Sequence, residues 1–125
     1  MMNLREIDRL VATKVMGWKI LEIKHTDSGV IGGFYDDGEK LIGVGEWSPT
    51  SDIRVAWQVV EKLRDRYVYM NLTNNDDSYC CELMEQDLEN SSRYFTYYAD
   101  AETAPLAICL AALKAVGVEA EVNEQ

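Results

Sequence analysis

Three cysteines and a single histidine are the residues that could carry covalent or metal chemistry in this chain. A cysteine or serine nucleophile needs a base within hydrogen-bond reach. His25 is the only histidine, it falls in a strand-like segment, and no Gly-x-Ser-x-Gly elbow accompanies it. Cys80 and Cys81 are neighbours, and neighbours on a strand point to opposite faces. They cannot easily grip one ion together, and with Cys109 they do not make a zinc spacing. Buried, reduced thiols behaving as small hydrophobes fit better. The carboxylate pairs Asp36/Asp37 and Asp76/Asp77 lie in turn segments, where Asp is favoured for backbone reasons. General acid–base work needs a carboxylate in an apolar cleft. The run "NNDDSY" lacks calcium-loop spacing, and the glycines of "GVIGGF" do not open a helix after a strand. The expectation is a protein that is not an enzyme and holds no cofactor or metal.

Binding chemistry is better supplied. The chain has seven tyrosines. Tyr94, Tyr97 and Tyr98, with Trp18 and Trp47, can form a stacking surface, and Arg54, Arg64, Arg66 and Arg93 can hold phosphate in bidentate fashion. Helix N-termini at Ser51 and Thr103 offer backbone donors to an anion. The candidate ligand set is Trp47, Ser51, Arg54, Arg93 and Tyr97, for a small anion of nucleotide type. The plainer alternative is amphipathic strand tyrosines and solvated arginines.

Twenty-two acidic residues against 12 basic ones give a formal net charge of −10. That field repels a phosphate polymer, so nucleic-acid binding is not expected. It also permits a different role, an acidic DNA mimic that occupies a basic partner protein. Solubility alone would explain it too. No stretch approaches the roughly 18 apolar residues of a membrane span. The N-terminal run "MMNLREIDRLVATKVMG" carries Glu6 and Asp8 among its apolar residues, unlike a signal peptide. A cytoplasmic protein is expected.

These groups must be positioned by elements that the patterning specifies. A length of 125 residues suits a single domain over 1–125 with a real core. Asn3 caps a first helix, with Glu6 reaching back. Leu4, Ile7, Leu10, Val11 and Val15 share one face, and Gly17 stops it. Three strands follow, "WKILEIKH", "VIGGFY" and "EKLIGVGEW", with "DDG" as a hairpin signal. Thr50 or Ser51 caps a second helix, in which Ile53, Ala56, Trp57, Val60 and Leu63 form the core stripe. Trp57 is therefore expected inside. Trp47 either staples the first turn or lines a cleft at the corner. "YVYMNLT", "SYCCELME" and "RYFTYYA" are three further strands. Thr103, Pro105 and Gly117 bracket a third helix, apolar nearly all round. Such a helix is deeply buried or lies in an oligomer interface, and a homo-oligomer is expected. The fold class is α+β: antiparallel sheet covered by three helices, in the order helix-βββ-helix-βββ-helix, as a layered sandwich. Residues 118–125 form an edge strand or a loose tail.

Three blocks, "REIDRLVATKVMGWK", "WSPTSDIRVAWQVVEKL" and "YADAETAPLAICLAALKAVG", together resemble the phage ABA sandwich domain family. They occur in the family's order and span nearly the whole chain. The resemblance implies a layered α/β fold and a phage or prophage origin. It brings no catalytic residues. The expected function is a small non-catalytic phage accessory protein that binds a ligand, such as a nucleotide signal of host defence. The alternatives are the acidic protein–protein effector and a structural phage component.

Overall fold

The computed structural model describes residues 3–26, 29–35, 41–43, 47–87, 89 and 93–118, with backbone alone over 20–46. The "DDG" hairpin signal, most of the third expected strand and the tail beyond 118 lie outside the described residues.

Asn3 Oδ1 accepts the Glu6 N–H at 2.9 Å and starts helix α1, Leu4–Leu10. The helix then widens into a π-helical turn, Val11–Val15. Donors inserted at this point account for the widening. The Thr13 hydroxyl donates to the Arg9 and Leu10 carbonyls, and the Trp47 indole N–H donates to the Asp8 carbonyl. Gly17 closes the turn with φ +76°, in the left-handed region that a side chain resists. Ile7, Val11, Ala12 and Val15 are wholly buried.

Strands β1 (Lys19–Thr26), β2 (Gly29–Tyr35) and β3 (Leu41–Gly43) form one antiparallel meander, with an irregularity in β1 between Leu21 and Lys24. Strands β4 (Val68–Asn74), β5 (Tyr79–Gln86) and β6 (Tyr94–Ala101) form a second. Short connections force this antiparallel pairing. Between β4 and β5 the Asn75 N–H donates to the Ser78 carbonyl at 2.8 Å.

Helix α2, Ile53–Arg64, stands between the two sheets in sequence. It packs on β4 and on helix α3, Ala104–Ala115. Helix α3 is the hub of the molecule and touches β5, β6, α1 and α2. Thr103 caps it, Pro105 occupies its first turn, and it ends in a Schellman motif. Val118 N–H donates to the Leu113 carbonyl, Gly117 N–H to that of Lys114, and Gly117 takes φ +82°. Ala107, Ile108, Cys109, Ala111, Ala112 and Leu113 are all wholly buried. Much of the apolar girth of α3 is thus used inside one chain. Leu106, Leu110 and Val116 of the same helix are only partly buried.

Two expectations for α2 are corrected. Its N-cap is Asp52, not Thr50 or Ser51, and Asp52 Oδ1 accepts the Arg54 N–H at 2.9 Å. Thr50 has another task, described below. The buried stripe is Ala56, Val59, Val60 and Leu63, while Ile53 and Trp57 are 45% and 48% exposed. The helix is turned about its axis toward Val59, because the small Ala56 and Val59 fit the close approach to α3 and the indole does not.

This rotation predicts an inverted size effect. Trp57→Ala removes the larger side chain, yet is expected to cost the monomer only about 1 kcal/mol, because half of the indole already faces water. Val59→Ala is expected to cost about 2 kcal/mol. Equilibrium denaturation of the two variants checks the order.

Candidate functional site

The corner "WSPT" between β3 and α2 is pinned to α1 by one residue. Asp8 lies on the buried arc of α1, among Ile7, Val11, Ala12 and Val15, and is only 9% exposed. Its main-chain carbonyl accepts the Trp47 indole N–H at 2.8 Å, and its carboxylate accepts the Thr50 N–H at 2.9 Å. Trp47 is 3% exposed, and its ring meets that of Trp18 edge to face, with centroids 4.4 Å apart. Pro49 is fully buried beside them. Burial pushes the Asp8 carboxyl up; the Thr50 N–H, the Thr50 hydroxyl and Arg5 pull it back in part. The Thr50 hydroxyl nonetheless closes no hydrogen bond, so its oxygen is buried without a partner.

The five residues proposed from sequence therefore do not converge. Trp47 is a packing residue, not the wall of an open cleft. Ser51 is exposed in the turn and donates its N–H to the Ser48 carbonyl. Arg54 reaches back to Asp52, with 3.2 Å between Nη2 and Oδ2. That pairing holds the Asp52 carboxyl below its ordinary value. A capping carboxylate now covers the start of α2, so those donors are not open to an anion. Arg93 and Tyr97 belong to the other end of the molecule.

There, the helix-covered face of β4–β5–β6 runs past its cover. Val68, Glu85 and Phe95 form its last row, and Met70, Leu83 and Tyr97 the row before. A depression of about 380 Å³ opens at this end, lined by Arg66, Glu85, Gln86, Asp87, Glu89, Phe95 and Tyr97. The Tyr97 hydroxyl donates to Glu85 Oε1 at 3.1 Å. Burial, then that bond, pushes the phenol above its ordinary value, so it stays a donor. The Arg93 guanidinium lies 5.5 Å from the centre of the Phe95 ring, a cation–π contact. The Asp87 N–H donates to the Arg93 carbonyl and closes the strand ends. One arginine, two aromatic rings and three carboxylates thus line one rim, and Arg93 stands beside it over Phe95.

The opposite face of this sheet is open. Tyr69–Met84–Thr96, Asn71–Glu82–Tyr98 and Thr73–Cys80–Asp100 are its cross-strand rows. Asp100 and Glu82 raise the Cys80 thiol, with Asp100 the larger influence. Glu82 likewise raises the Tyr98 phenol. Burial lifts Cys81 to about 12 and Cys109 well above the usual thiol range. All three thiols are held as weak nucleophiles. No cluster among the described residues has the makings of a metal site, and no helix among them is long and apolar enough to cross a membrane.

Arg93 and Tyr97 were legible as aromatic and basic residues at a strand start. Glu85, Asp87, Glu89 and Phe95 were missed, because only the strand register brings them beside Arg66. Asp8 was also missed, although a carboxylate on the apolar arc of an amphipathic helix is itself a signal.

The corner predicts a pH dependence. An ionised Asp8 whose folded value lies above 3.8 costs stability. That cost is full above the raised value and fades as pH falls through it toward 3.8. Asp8→Asn keeps an acceptor for the Thr50 N–H without the charge. It is expected to be more stable than the parent at about pH 7, with the gain vanishing near pH 4. Trp47→Phe is expected to cost roughly 1–2 kcal/mol at any pH, through the lost indole bond. Denaturation midpoints across pH decide both.

A family model described as the phage ABA sandwich domain matches residues 9–113. No curated protein and no solved structure matches the chain.

Proposed function

We propose that this chain, which belongs to the phage ABA sandwich domain family, is a non-catalytic binding protein that sequesters a small nucleotide-type molecule, such as a host-defence signal. The observation that carries this reading is the mixed rim of the depression between Arg66 and Tyr97. A bare anion would be repelled by Glu85, Asp87 and Glu89. A nucleotide is different. It presents phosphate to arginine, a flat base to Phe95 and Tyr97, and ribose hydroxyls and amino groups to carboxylates. The suppressed thiols fit a protein that holds its ligand without converting it. Solution in the cytoplasm of a bacterial host belongs to the same reading. So does the layered sandwich, in which α2 and α3 cover one face of β4–β5–β6 and the last turn of α1 carries β1.

A second reading rests on a separate observation. The open face of β4–β5–β6 displays Glu82 and Asp100 among Tyr69 and Tyr98, the last two 43% and 53% exposed. Such a face suits a basic segment of a host protein, and the −10 net charge would draw it in.

A thermal-shift screen against mono-, di- and cyclic nucleotides separates the two. A ligand at about 100 times its dissociation constant stabilises by about 2.7 kcal/mol. The expected result is a shift lost in Arg66→Ala, with the ligand recovered intact by mass spectrometry. No shift across the panel, together with salt-sensitive capture of a basic protein that Glu82→Lys abolishes, would replace the first reading by the second.

A further inference from the structure

Helix α2 carries apolar surface that its own chain does not cover. Ile53 and Trp57 lie one turn apart, 45% and 48% exposed, beside the buried stripe of Ala56, Val60 and Leu63. Isolated exposed apolar residues need no explanation, but a half-exposed tryptophan on a well-packed helix is unusual. Three charged residues share its exposed side: Arg54, Glu61 and Arg64. Just beyond, Glu61, Arg64, Asp65 and Tyr69 line a second depression, of about 440 Å³. Tyr67, 54% exposed, adds a further ring at the same end.

We infer that this face of α2 is a self-association surface, where two copies pack α2 against α2 antiparallel about a two-fold axis beside Trp57. The charges name the occupant. Copies with a net charge of −10 repel one another, so they can meet only where the signs alternate. The exposed side of α2 is such a place. An antiparallel crossing centred between residues 57 and 58 sets 54 opposite 61, because positions facing each other across it sum to a constant. Arg54 of each copy then faces Glu61 of the other, twice in the dimer. The two Trp57 rings are covered at the centre, and Ile53 lies beside them. This is the self-complementary pattern of an isologous contact, with an aromatic anchor inside a charged rim. The Arg54–Asp52 pair does not oppose it, since it is an exposed local pair of little strength. A two-fold partner needs about 800 Å² per copy, close to a tenth of the 8130 Å² surface of the chain. The exposed side of α2 continues into the depression lined by Glu61, Arg64, Asp65 and Tyr69. A partner of uniform charge, by contrast, would leave either Arg54 or Glu61 unmatched. This surface is distinct from the rim at Arg66 and Tyr97, so the two can fail independently.

Light scattering and sedimentation of the whole chain over about 1 to 100 µM test it. The parent is expected to be a dimer at the upper end. Trp57→Glu is expected to be monomeric throughout with unchanged circular dichroism, and Trp57→Ser is the milder variant should the first disturb folding. Arg54→Glu and Glu61→Arg are each expected to weaken the dimer about tenfold or more, and the double exchange to restore it. A parent that stays monomeric at the top of the range overturns the inference. So does a dimer that survives Trp57→Ser, or a double exchange no tighter than either single one.

Discussion

The fold turns on one carboxylate. Asp8 holds the chain at two points 39 and 42 residues downstream, through its main-chain carbonyl to Trp47 and its side chain to Thr50. Without it α1 would be an amphipathic helix lying on α3, and α2 would start wherever its cap allowed. With it, the end of the first sheet and the start of α2 are set against the first helix. The bond is made at a cost, because the carboxylate is desolvated and the Thr50 hydroxyl beside it finds no acceptor. A buried charge held by one backbone N–H is weak evidence of net stabilisation. Its effect is to make one arrangement of the corner far better than its neighbours.

The same tie explains why Trp47 takes the packing role of the two open to it, while Trp57, expected inside, does not. Trp47 has a donor to satisfy and a carbonyl within reach, so it can be buried whole against Trp18. Trp57 has neither. Helix α2 packs on α3, and its buried side is that of Ala56 and Val59, not of Trp57. Here the packing of helix on helix outweighs the transfer energy of one indole. That imbalance is a reason to look for a partner over Trp57.

Local chemistry was legible where it decides structure alone. Asn3, Thr103, Pro105, Gly17 and Gly117 each mark a helix end through a bond or a dihedral that one residue supplies. The strands β4 to β6 were legible from alternation. The phase of α2 was not. Periodicity gives the width of an apolar arc but not which part of it meets the core, and an arc from Val59 to Trp57 is wider than α3 can cover. The cap of α2 was misread for a related reason: Thr50, Ser51 and Asp52 can all cap, and the choice falls to Asp52 because Thr50 is held by Asp8. The binding rim was half legible. Arg93 and Tyr97 stand out by type, but Glu85 joins them only through β5–β6 register, and Arg66 only through the turn after α2. A site assembled by cross-strand pairing leaves no spacing in the sequence to find.

The Asp8 tie has one more consequence. Residues 8 and 47 are fastened together, and everything between them forms a closed loop holding the π-helical turn and the whole of β1–β2–β3. The entropy of closing such a loop depends only logarithmically on its length. A few residues added to or removed from the β1–β2 or β2–β3 connections would change that term by small fractions of a kcal/mol. The clasp at residues 8 and 47 thus bounds the stretch that carries the first sheet, and a small change in the length of that stretch leaves the cost of closing it almost untouched.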